Sequence, residues 1–335
     1  MISEGKIPAA IIGLGRIASL LEDDKLREKP CTHAGALAAN PDCFIAAGAD
    51  TDEERRSLFA GRWDVPVYAD AAEMIDAHAP KILVIATHPD SHGKYCALAA
   101  ARKVPLVICE KPLADTLRGA RRIAALHRQG KITVLVNHER RYSGDYRKAR
   151  ALLDEGRLGP LLGVRALLYM GKKRRLLDVL WHDGTHLADA VMFLSGRRLI
   201  HRRSFGASLR RHEGTAWLEG RLDHDSVLGP PVPFIMELGA GRDHLAFEIE
   251  FSCEKGRLRI GNGLFEVWES APSPYAEGFR SLQNTAEAFD GPTGYFANMA
   301  ADAVACVQNP SKTPQSSALD GLRVIEYLHH VDRWK

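Results

Sequence analysis

Glu110 and Lys111 are the first residues in this chain whose type and position could do chemistry. They follow a short apolar run, Leu106–Cys109, in a stretch bounded by Pro105 and Pro112. Such a run is typical of a strand buried on both faces, and open parallel sheets bind ligands at the carboxyl ends of these strands. The stretch marks Lys111 as a candidate catalytic residue and both side chains as candidate cofactor contacts. It is also consistent with the polar end of an ordinary strand.

A glycine-rich turn follows the first apolar run of the chain, residues 7–12, with the pattern Gly13-x-Gly15-x-x-Ala18. The first glycine permits a tight turn, the second lets a pyrophosphate approach the backbone, and the small alanine lets a helix pack on the strand. A helix opening here would offer N–H groups and partial positive charge to the phosphates. The pattern predicts dinucleotide binding by the turn, with Arg16 and Ile17 included. The alternative is a glycine-rich turn that binds nothing.

Asp50 ends the next predicted strand, residues 43–50. A carboxylate at this position can accept hydrogen bonds from the adenosine ribose and would repel a 2′-phosphate, which favours NAD over NADP. Arg55 and Arg56 follow closely and could instead bind a phosphate. An acid at a strand end is also a common helix cap.

The loop after the predicted strand 81–86 contains Thr87, His88 and His92. It should lie on the same sheet edge as Gly13 and Lys111 and line the nicotinamide half of a cofactor site. Either histidine could instead be a packed loop residue with no role in binding.

Strand and helix patterns alternate through residues 1–138. In addition to the strands named above, the sequence predicts a strand at 132–136 and helices at 91–102 and 117–129. This alternation predicts an α/β, doubly wound parallel sheet, which is a Rossmann domain. Residues 21–31 interrupt the first helix with charge and a proline, so we expect an inserted loop there, either a solvated surface loop or a lid near the cofactor.

From residue 139 to residue 335 the pattern changes. Strand-like segments are predicted at 161–170, 199–207, 215–222, 232–238, 245–253, 257–260 and 264–268, and helices at 146–155, 184–194 and 295–331, the last with a break at Asn309 and Pro310. Strands joined by short turns, with helices at both ends, predict an α+β domain with an open, mostly antiparallel sheet.

Composition excludes several classes of protein. With 335 residues the chain is long enough for two domains, and 45% hydrophobic and 26% charged residues are ordinary for a globular protein. A net charge of +3 is too small to indicate nucleic-acid binding. No apolar segment is long enough to cross a membrane, and residues 1–8 do not resemble a signal peptide, so we expect a cytoplasmic protein. The six cysteines are too dispersed for disulfides or zinc.

Taken together, the motifs resemble those of the Gfo/Idh/MocA oxidoreductase family, named for glucose–fructose oxidoreductase and inositol dehydrogenase. The resemblance adds these to the glycine turn and Asp50: Pro89-x-x-His92, Glu110-Lys111-Pro112, Arg140-Arg141-Tyr142, Gly156-x-x-Gly159 and Asp183-Gly-Thr-His186-x-x-Asp189. It implies a Rossmann domain and an open-sheet substrate domain, NAD(P) as cofactor, and a sugar, polyol or related compound as substrate. It also implies a homodimer or homotetramer formed through the second sheet.

The resemblance assigns Lys111 to the substrate, where it would position the reacting carbon and polarise the hydroxyl or relay its proton, and His186 to acid–base catalysis. A histidine suits that task because its pKa lies near neutrality. Many relatives have an aspartate four residues before this histidine, where the present chain has His182. Asp183, three before, is either a second catalytic group or the cap of the helix that begins at Gly184. The spacing of His182 and His186 could suit a metal, but no third ligand is evident, and we expect none.

Residues 171–175 add four consecutive cations, Lys172 to Arg175, which could bind an anionic group on the substrate or form a solvated basic loop. The leading hypothesis is an NAD-dependent dehydrogenase acting on a carbinol. The alternatives are an NAD-dependent glycoside hydrolase and a nucleotide-sensing regulatory protein, although a sensor would need neither Lys111 nor His186. Sequence alone leaves the substrate and the direction of hydride transfer open.

Overall fold

A computed structural model describes residues 5–171, 173–223 and 230–333. Its strands are β1 (Ile7–Ile12), β2 (Cys43–Ala49), β3 (Val67–Tyr68), β4 (Ile82–Ile85), β5 (Leu106–Cys109), β6 (Thr133–Val136), β7 (Leu161–Met170), β8 (Arg198–Gly206), β9 (Gly214–Asp223), β10 (Val232–Ala240), β11 (Ala246–Cys253), β12 (Gly256–Gly261), β13 (Leu264–Pro272) and β14 (Arg280–Asn284). Its α-helices are α1 (His33–Ala39), α2 (Glu53–Trp63), α3 (Ala71–His78), α4 (His92–Ala101), α5 (Leu117–Arg128), α6 (Gly144–Asp154), α7 (Leu176–His182), α8 (Gly184–Ser195), α9 (Tyr295–Gln308) and α10 (Ala318–Arg333).

The chain forms two compact units. The first extends to Ser143 and also includes Pro292–Ile325, while the second contains Gly144–Gly291 and the residues from Glu326 onwards. The sequence-based division at residue 138 placed the whole C-terminal tail in the second domain. Helix α9 lies in the first unit because its apolar side chains, such as Phe296 and Met299, belong to the same buried core as β1 and α1.

In the first unit, the strands form a parallel sheet in the order β3-β2-β1-β4-β5-β6. Strands β4 and β5 are buried along their whole length, as a central parallel strand covered by helices on both faces requires. The order reverses between β1 and β4, so the carboxyl ends of these strands border the crevice where such sheets bind ligands. The predicted Rossmann architecture is confirmed.

The prediction that a regular helix begins at the glycine turn is wrong. A single turn follows Gly15, whose carbonyl accepts the N–H of Ser19, and a short 3₁₀ segment, Leu20–Asp23, leads into the insertion. The regular helix α1 starts only at His33, where the N–H groups of His33 and Ala34 bond to the carbonyls of Ile17 and Ala18. The insertion is thus a loop within the first helix. After the loop, α1 continues the helix from the single turn that follows Gly15.

The insertion is ordered by anchors within the first unit. Arg62 pairs with Asp23, and Glu22 accepts the hydroxyl of Thr32 at 2.6 Å. Glu28 accepts the N–H groups of Thr293 and Gly294 at 2.8 and 2.7 Å, directly before α9. These contacts fix the loop at three points, although Leu26 at its tip is exposed.

Glu28 should make the stability of this unit depend on pH. Burial alone would raise the pKa of Glu28, but the hydrogen bonds from Gly294 and Thr293 outweigh burial and hold it below its ordinary value of 4.5. The folded state therefore binds fewer protons, so this stabilisation is present above pH 4.5 and is lost as pH falls through the lowered pKa. We expect Glu28→Gln to lower the free energy of unfolding at pH 7 and to reduce its fall between about pH 5 and pH 3.

Urea denaturation of both proteins across this pH range measures the effect, and Glu54→Gln, an exposed glutamate on α2, is the control. Parallel pH curves for the wild type and Glu28→Gln would contradict the assignment.

In the second unit, the strands form one mixed sheet in the order β14-β13-β12-β11-β7-β10-β9-β8. Strands β7 and β10 are parallel and the other neighbours are antiparallel, which confirms the predicted open, mostly antiparallel sheet. Helix α7 and strand β14 were not predicted. The first is short, and the second is largely exposed and lacks the apolar alternation that marks the other strands.

Side chains along β7 alternate between the two faces of this sheet. Val164, Ala166 and Leu168 are buried on one face, and α8, which packs against β7, is buried along most of its length. The other face is lined by charged pairs, among them Arg259 with Glu248 and with Glu266, each at 3.0 Å. All six cysteines are buried and unpaired. Among the described helices, none is both long and apolar enough to span a bilayer.

Candidate functional site

The glycine turn sits where β1 ends against the loop after β4. Gly13 has a φ of +85°, and a Cβ there would lie 2.8 Å from the backbone of Ala86 and 2.9 Å from the side chain of Thr87. Only glycine fits such a contact without displacing the neighbouring loop. Gly15 differs, because the nearest atom to a Cβ there is Nη1 of Arg55, at 3.8 Å. The space above Gly15 is therefore open enough for a ligand to reach the backbone.

Successive backbone N–H groups at this turn are available to a ligand. Among the contacts of the described residues, the N–H groups of Gly15, Arg16 and Ile17 have no acceptor. Unpaired N–H groups that follow one another form a concave donor site for an anion such as a pyrophosphate. The turn thus fits the phosphates of a dinucleotide, even though no long helix begins there.

Asp50 is tied to the turn rather than to a helix. Its carboxylate accepts the N–H of Leu14 at 2.8 Å and the N–H of Asp52 at 3.0 Å, and only 7% of its side chain is exposed. The cap of α2 is Asp52, which accepts the N–H of Arg55, so Asp50 is not the helix cap. Nη1 of Arg55 lies 3.8 Å from the Asp50 carboxylate. A negative charge and a half-exposed guanidinium therefore share the carboxyl end of β2.

Arg56 has a structural task. Its guanidinium donates to the carbonyls of Asp50 and Thr51 at 2.9 and 3.0 Å, so it braces the strand end. Arg55 is thus the better placed of the two arginines for contact with a ligand.

The predicted site residues of the loop after β4 differ in their exposure and contacts. Thr87 is half-buried and its hydroxyl pairs with Ser91, while His88 is exposed. His92 is fully buried, with Nε2 3.1 Å from the carbonyl of Thr87 and Nδ1 3.3 Å from that of Leu113. Burial lowers the pKa of His92, so the ring is neutral near pH 7. His92 thus joins the Thr87 loop to the loop that follows Lys111, and both ring nitrogens face backbone carbonyls.

Glu110 is buried at the end of β5, and its partners were not predicted. Its Oε1 lies 2.7 Å from Nε2 of His33 and accepts the side-chain amide of Asn137 at 2.6 Å, and its Oε2 accepts the N–H of Lys111 at 3.2 Å. Burial favours the neutral acid, but the bond from His33, the amide and the charge of Lys111 together hold the pKa of Glu110 below its usual value. Glu110 is therefore an ionised group inside the protein, and both of its carboxylate oxygens bond to protein groups. Lys111 itself is half-buried.

The sequence offered only a weak signal for the two partners of Glu110. His33 opens an apolar helix and Asn137 follows an apolar strand, so each could be read as the polar boundary of its element. Both are buried in the structure.

In the second unit, three of the predicted catalytic residues lie where α7 meets α8. The Asp183 carboxylate lies 3.0 Å from Nδ1 of His182 and accepts a hydrogen bond from Arg174 at 2.9 Å. Asp183 is the N-cap residue of α8 but makes no side-chain capping bond, which disfavours the capping alternative. His186 lies on the first turn of α8, is half-buried, and its N–H bonds to the carbonyl of Asp183. A carboxylate held by an arginine therefore orients the ring of His182.

The described cations of the basic run after β7 form ion pairs with carboxylates of the same chain. Lys173 pairs with Glu213 at 2.8 Å and Arg175 with Asp178 at 2.6 Å, in addition to the Arg174–Asp183 pair. Lys172 lies outside the described residues. Among the described residues, no group of three or more His, Cys, Asp or Glu side chains could hold a metal ion.

Comparison with known proteins agrees with this arrangement. Residues 7–138 match the model of the Gfo/Idh/MocA family, described as "Oxidoreductase family, NAD-binding Rossmann fold". An inositol 2-dehydrogenase from Streptomyces avermitilis is 29% identical over 297 residues, which are 84% of this chain and 80% of the relative.

Two solved structures share the fold over nearly the whole chain. An oxidoreductase from Agrobacterium radiobacter, in complex with NAD⁺, L-tartaric acid and magnesium, superposes with a TM-score of 0.72 at 19% identity, covering 98% of this chain and 95% of that one. The WlbA dehydrogenase from Bordetella pertussis, in complex with NADH and UDP-GlcNAcA, has a TM-score of 0.74 at 18% identity and covers 98% and 96%. With the glycine turn, the Asp50 strand end and the buried Glu110 beside Lys111 in place, residues 7–138 form an NAD-binding Rossmann domain of the Gfo/Idh/MocA type, and the chain is an NAD-binding oxidoreductase.

Proposed function

We propose that this enzyme oxidises a secondary alcohol of a neutral polyol or sugar, using NAD as hydride acceptor. The observation that carries the proposal is the sheet edge of the first unit, where free N–H groups at the glycine turn, the Asp50 carboxylate and Lys111 all follow carboxyl ends of parallel strands. This edge offers a dinucleotide site with a cation beside it. Bound NAD supplies the acceptor for the hydride, and the protein must supply binding, orientation and proton transfer.

Lys111 would act on the substrate hydroxyl. An ammonium donates hydrogen bonds in several directions, so it can hold the oxygen of a carbinol and stabilise the negative charge that grows there as the proton leaves. Glu110 lies directly next to it in the chain, and the two side chains interact electrostatically. Lys111 is thus suited to orientation and charge stabilisation more than to removing a proton.

The second unit offers two histidines for the proton. His186 is the proposed acid–base, because the resemblance to the family falls on it and an imidazole gains or loses a proton near neutral pH. His182 is more exposed, and its ring is oriented by Asp183. We assign His182 and Asp183 a supporting role, and the variants described in the Discussion separate the two histidines.

A neutral substrate is favoured over an anionic one. Lys173, Arg174 and Arg175 each pair with a carboxylate of this chain, so binding an anion there would first require breaking an ion pair. The similarity to an inositol 2-dehydrogenase supports a polyol.

The test is a substrate screen with the purified protein and NAD, in which NADH fluorescence is followed with inositols, sugars, sugar alcohols and sugar acids. We expect a cyclic polyol or a sugar to give stoichiometric NADH. Release of an alcohol from a glycoside without net NADH would instead identify a glycoside hydrolase. Tight NAD binding with no turnover of any compound would favour a nucleotide sensor.

We also propose a preference for NAD over NADP, set by the charge of Asp50. Asp50→Asn keeps an oxygen for the N–H of Leu14 but removes the charge that repels a 2′-phosphate. We expect the ratio of Kd for NADP to Kd for NAD to fall about tenfold, equivalent to about 1.4 kcal/mol. Calorimetric titration of both cofactors measures the ratio, with Asp52→Asn as control. Tighter binding of NADP than NAD by the wild type would refute the preference and point to Arg55 as a phosphate ligand.

We further propose, from the family resemblance, that copies associate through the open face of the second sheet. Sedimentation equilibrium tests this, and a monomer at all concentrations would contradict it.

A further inference from the structure

His33 is a buried histidine that the proposed reaction does not use. It is the first residue of α1, it is fully buried, and its ring packs edge-on against Phe296 with centroids 5.3 Å apart. Its Nε2 lies 2.7 Å from Oε1 of Glu110. The contact joins residues 77 positions apart, across the edge of the sheet that carries the cofactor turn.

The hydrogen-bond pattern defines which nitrogen of His33 carries the proton. Glu110 is ionised and can only accept, so Nε2 must be the donor. Nδ1 is buried and has no partner in the described structure. Nε2 of His33 is therefore the donor to Oε1, and the charge of Lys111 also acts on the Glu110 carboxylate.

Three groups hold the carboxylate from different directions. His33 and Asn137 both donate to Oε1, and the N–H of Lys111 donates to Oε2. With both oxygens engaged, the carboxylate has little rotational freedom. The backbone of Lys111 is thereby tied to a group that α1 and the end of β6 hold in place.

The insertion helps to fix this arrangement. Thr32 caps α1, accepting the N–H of Gly35 at 3.0 Å, and its hydroxyl donates to Glu22 of the insertion at 2.6 Å. The returning end of the inserted loop thus sets where α1 starts, and with it the position of the His33 ring.

We propose that His33 is a positioning residue, which orients Glu110 and through it fixes the location of Lys111. This inference rests on the proposed role of Lys111. If the inference holds, loss of the His33 donor changes the reaction rate only through its effect on Lys111.

The experiment compares His33→Leu, which removes the donor to Glu110, with Lys111→Ala and the double variant. We expect His33→Leu to lower kcat by about 10- to 100-fold, as loss of an orienting partner typically does, with Kd for NAD nearly unchanged. In the Lys111→Ala background the same change should cause no further loss, because the group through which it acts is gone. A merely structural role would lower the rate similarly in both backgrounds.

A second readout does not depend on turnover. Limited acetylation followed by peptide mapping measures the reactivity of the Lys111 amine, which should increase several-fold when its fixed counter-charge is loosened. His127→Leu is the matched control, since it removes a histidine that accepts the N–H of Val134 on β6 at 3.2 Å. It should leave both readouts unchanged.

The outcomes separate this inference from the proposed function. If the wild type oxidises no alcohol, the proposed function fails, and acetylation alone still decides the role of His33. Wild-type reactivity of Lys111 in folded His33→Leu, or a full additional rate loss in the Lys111→Ala background, would overturn the inference. If His33→Leu does not fold, Glu110→Gln removes the counter-charge of Lys111, and unchanged Lys111 reactivity there would overturn it as well.

Discussion

Replacing Lys111 by alanine should lower kcat by about 10²- to 10⁴-fold, which is the range for loss of a group that assists proton transfer and charge stabilisation. Lys111 follows β5 and is half-buried beside ionised Glu110, whereas the phosphate donors are the N–H groups of the glycine turn. Kd for NAD should therefore stay within a few-fold of the wild-type value. Steady-state kinetics and calorimetric titration of NAD measure the two effects.

The control for this change is Lys94→Ala, which removes an exposed lysine from α4 of the same unit. It should leave kcat and NAD binding unaltered. Near-normal turnover by Lys111→Ala would remove Lys111 from the mechanism, and a large loss of NAD affinity would reassign it to the cofactor.

Replacing His186 by glutamine should also lower kcat by about 10²- to 10⁴-fold, because glutamine retains hydrogen-bonding capacity but cannot exchange a proton near neutral pH. If His186 is the acid–base, kcat/KM of the wild type should fall on the acidic side, where the ring is protonated and cannot accept the substrate proton. The variant should lose this limb of the pH profile. The residual rate of the variant should increase only as the hydroxide concentration increases with pH.

His182→Gln is the matched comparison on the neighbouring helix, and Asp183→Asn removes the carboxylate that orients His182. We expect smaller losses for both, with the acidic limb preserved. A larger loss in His182→Gln than in His186→Gln would transfer the acid–base role to the His182–Asp183 pair.

Local patterns were sufficient for most elements of the fold. The predicted limits of β1 and β7 coincide with those in the structure, and the other predicted strands agree to within a few residues. This succeeds because burial of a strand or a helix face imposes its period on neighbouring residues, which the sequence displays directly. The first helix was predicted only in part. Its interruption by residues 21–31 was expected from their charges and proline, whereas the helix expected at the glycine turn is a single turn followed by a 3₁₀ segment.

Some site residues could be recognised from the local sequence, and others could not. Glycines at a turn and a lysine after a buried strand are recognisable because their roles follow from backbone conformation and strand position. Asp183 was ambiguous because helix capping and catalysis can use the same side chain, and only the structure showed its contacts with Arg174 and His182.

The sequence by itself therefore determined a Rossmann unit with a dinucleotide turn, an open-sheet unit, and the position of Lys111 at a ligand-binding sheet edge. Tertiary structure alone decided that Glu110 is held by His33 and Asn137, residues 77 and 27 positions away. It also decided that His92 is buried between two loops and that the described cations after β7 are already paired. The physical reason is that periodicity reports burial within one element, whereas a hydrogen bond between elements depends on where separate segments of the chain meet.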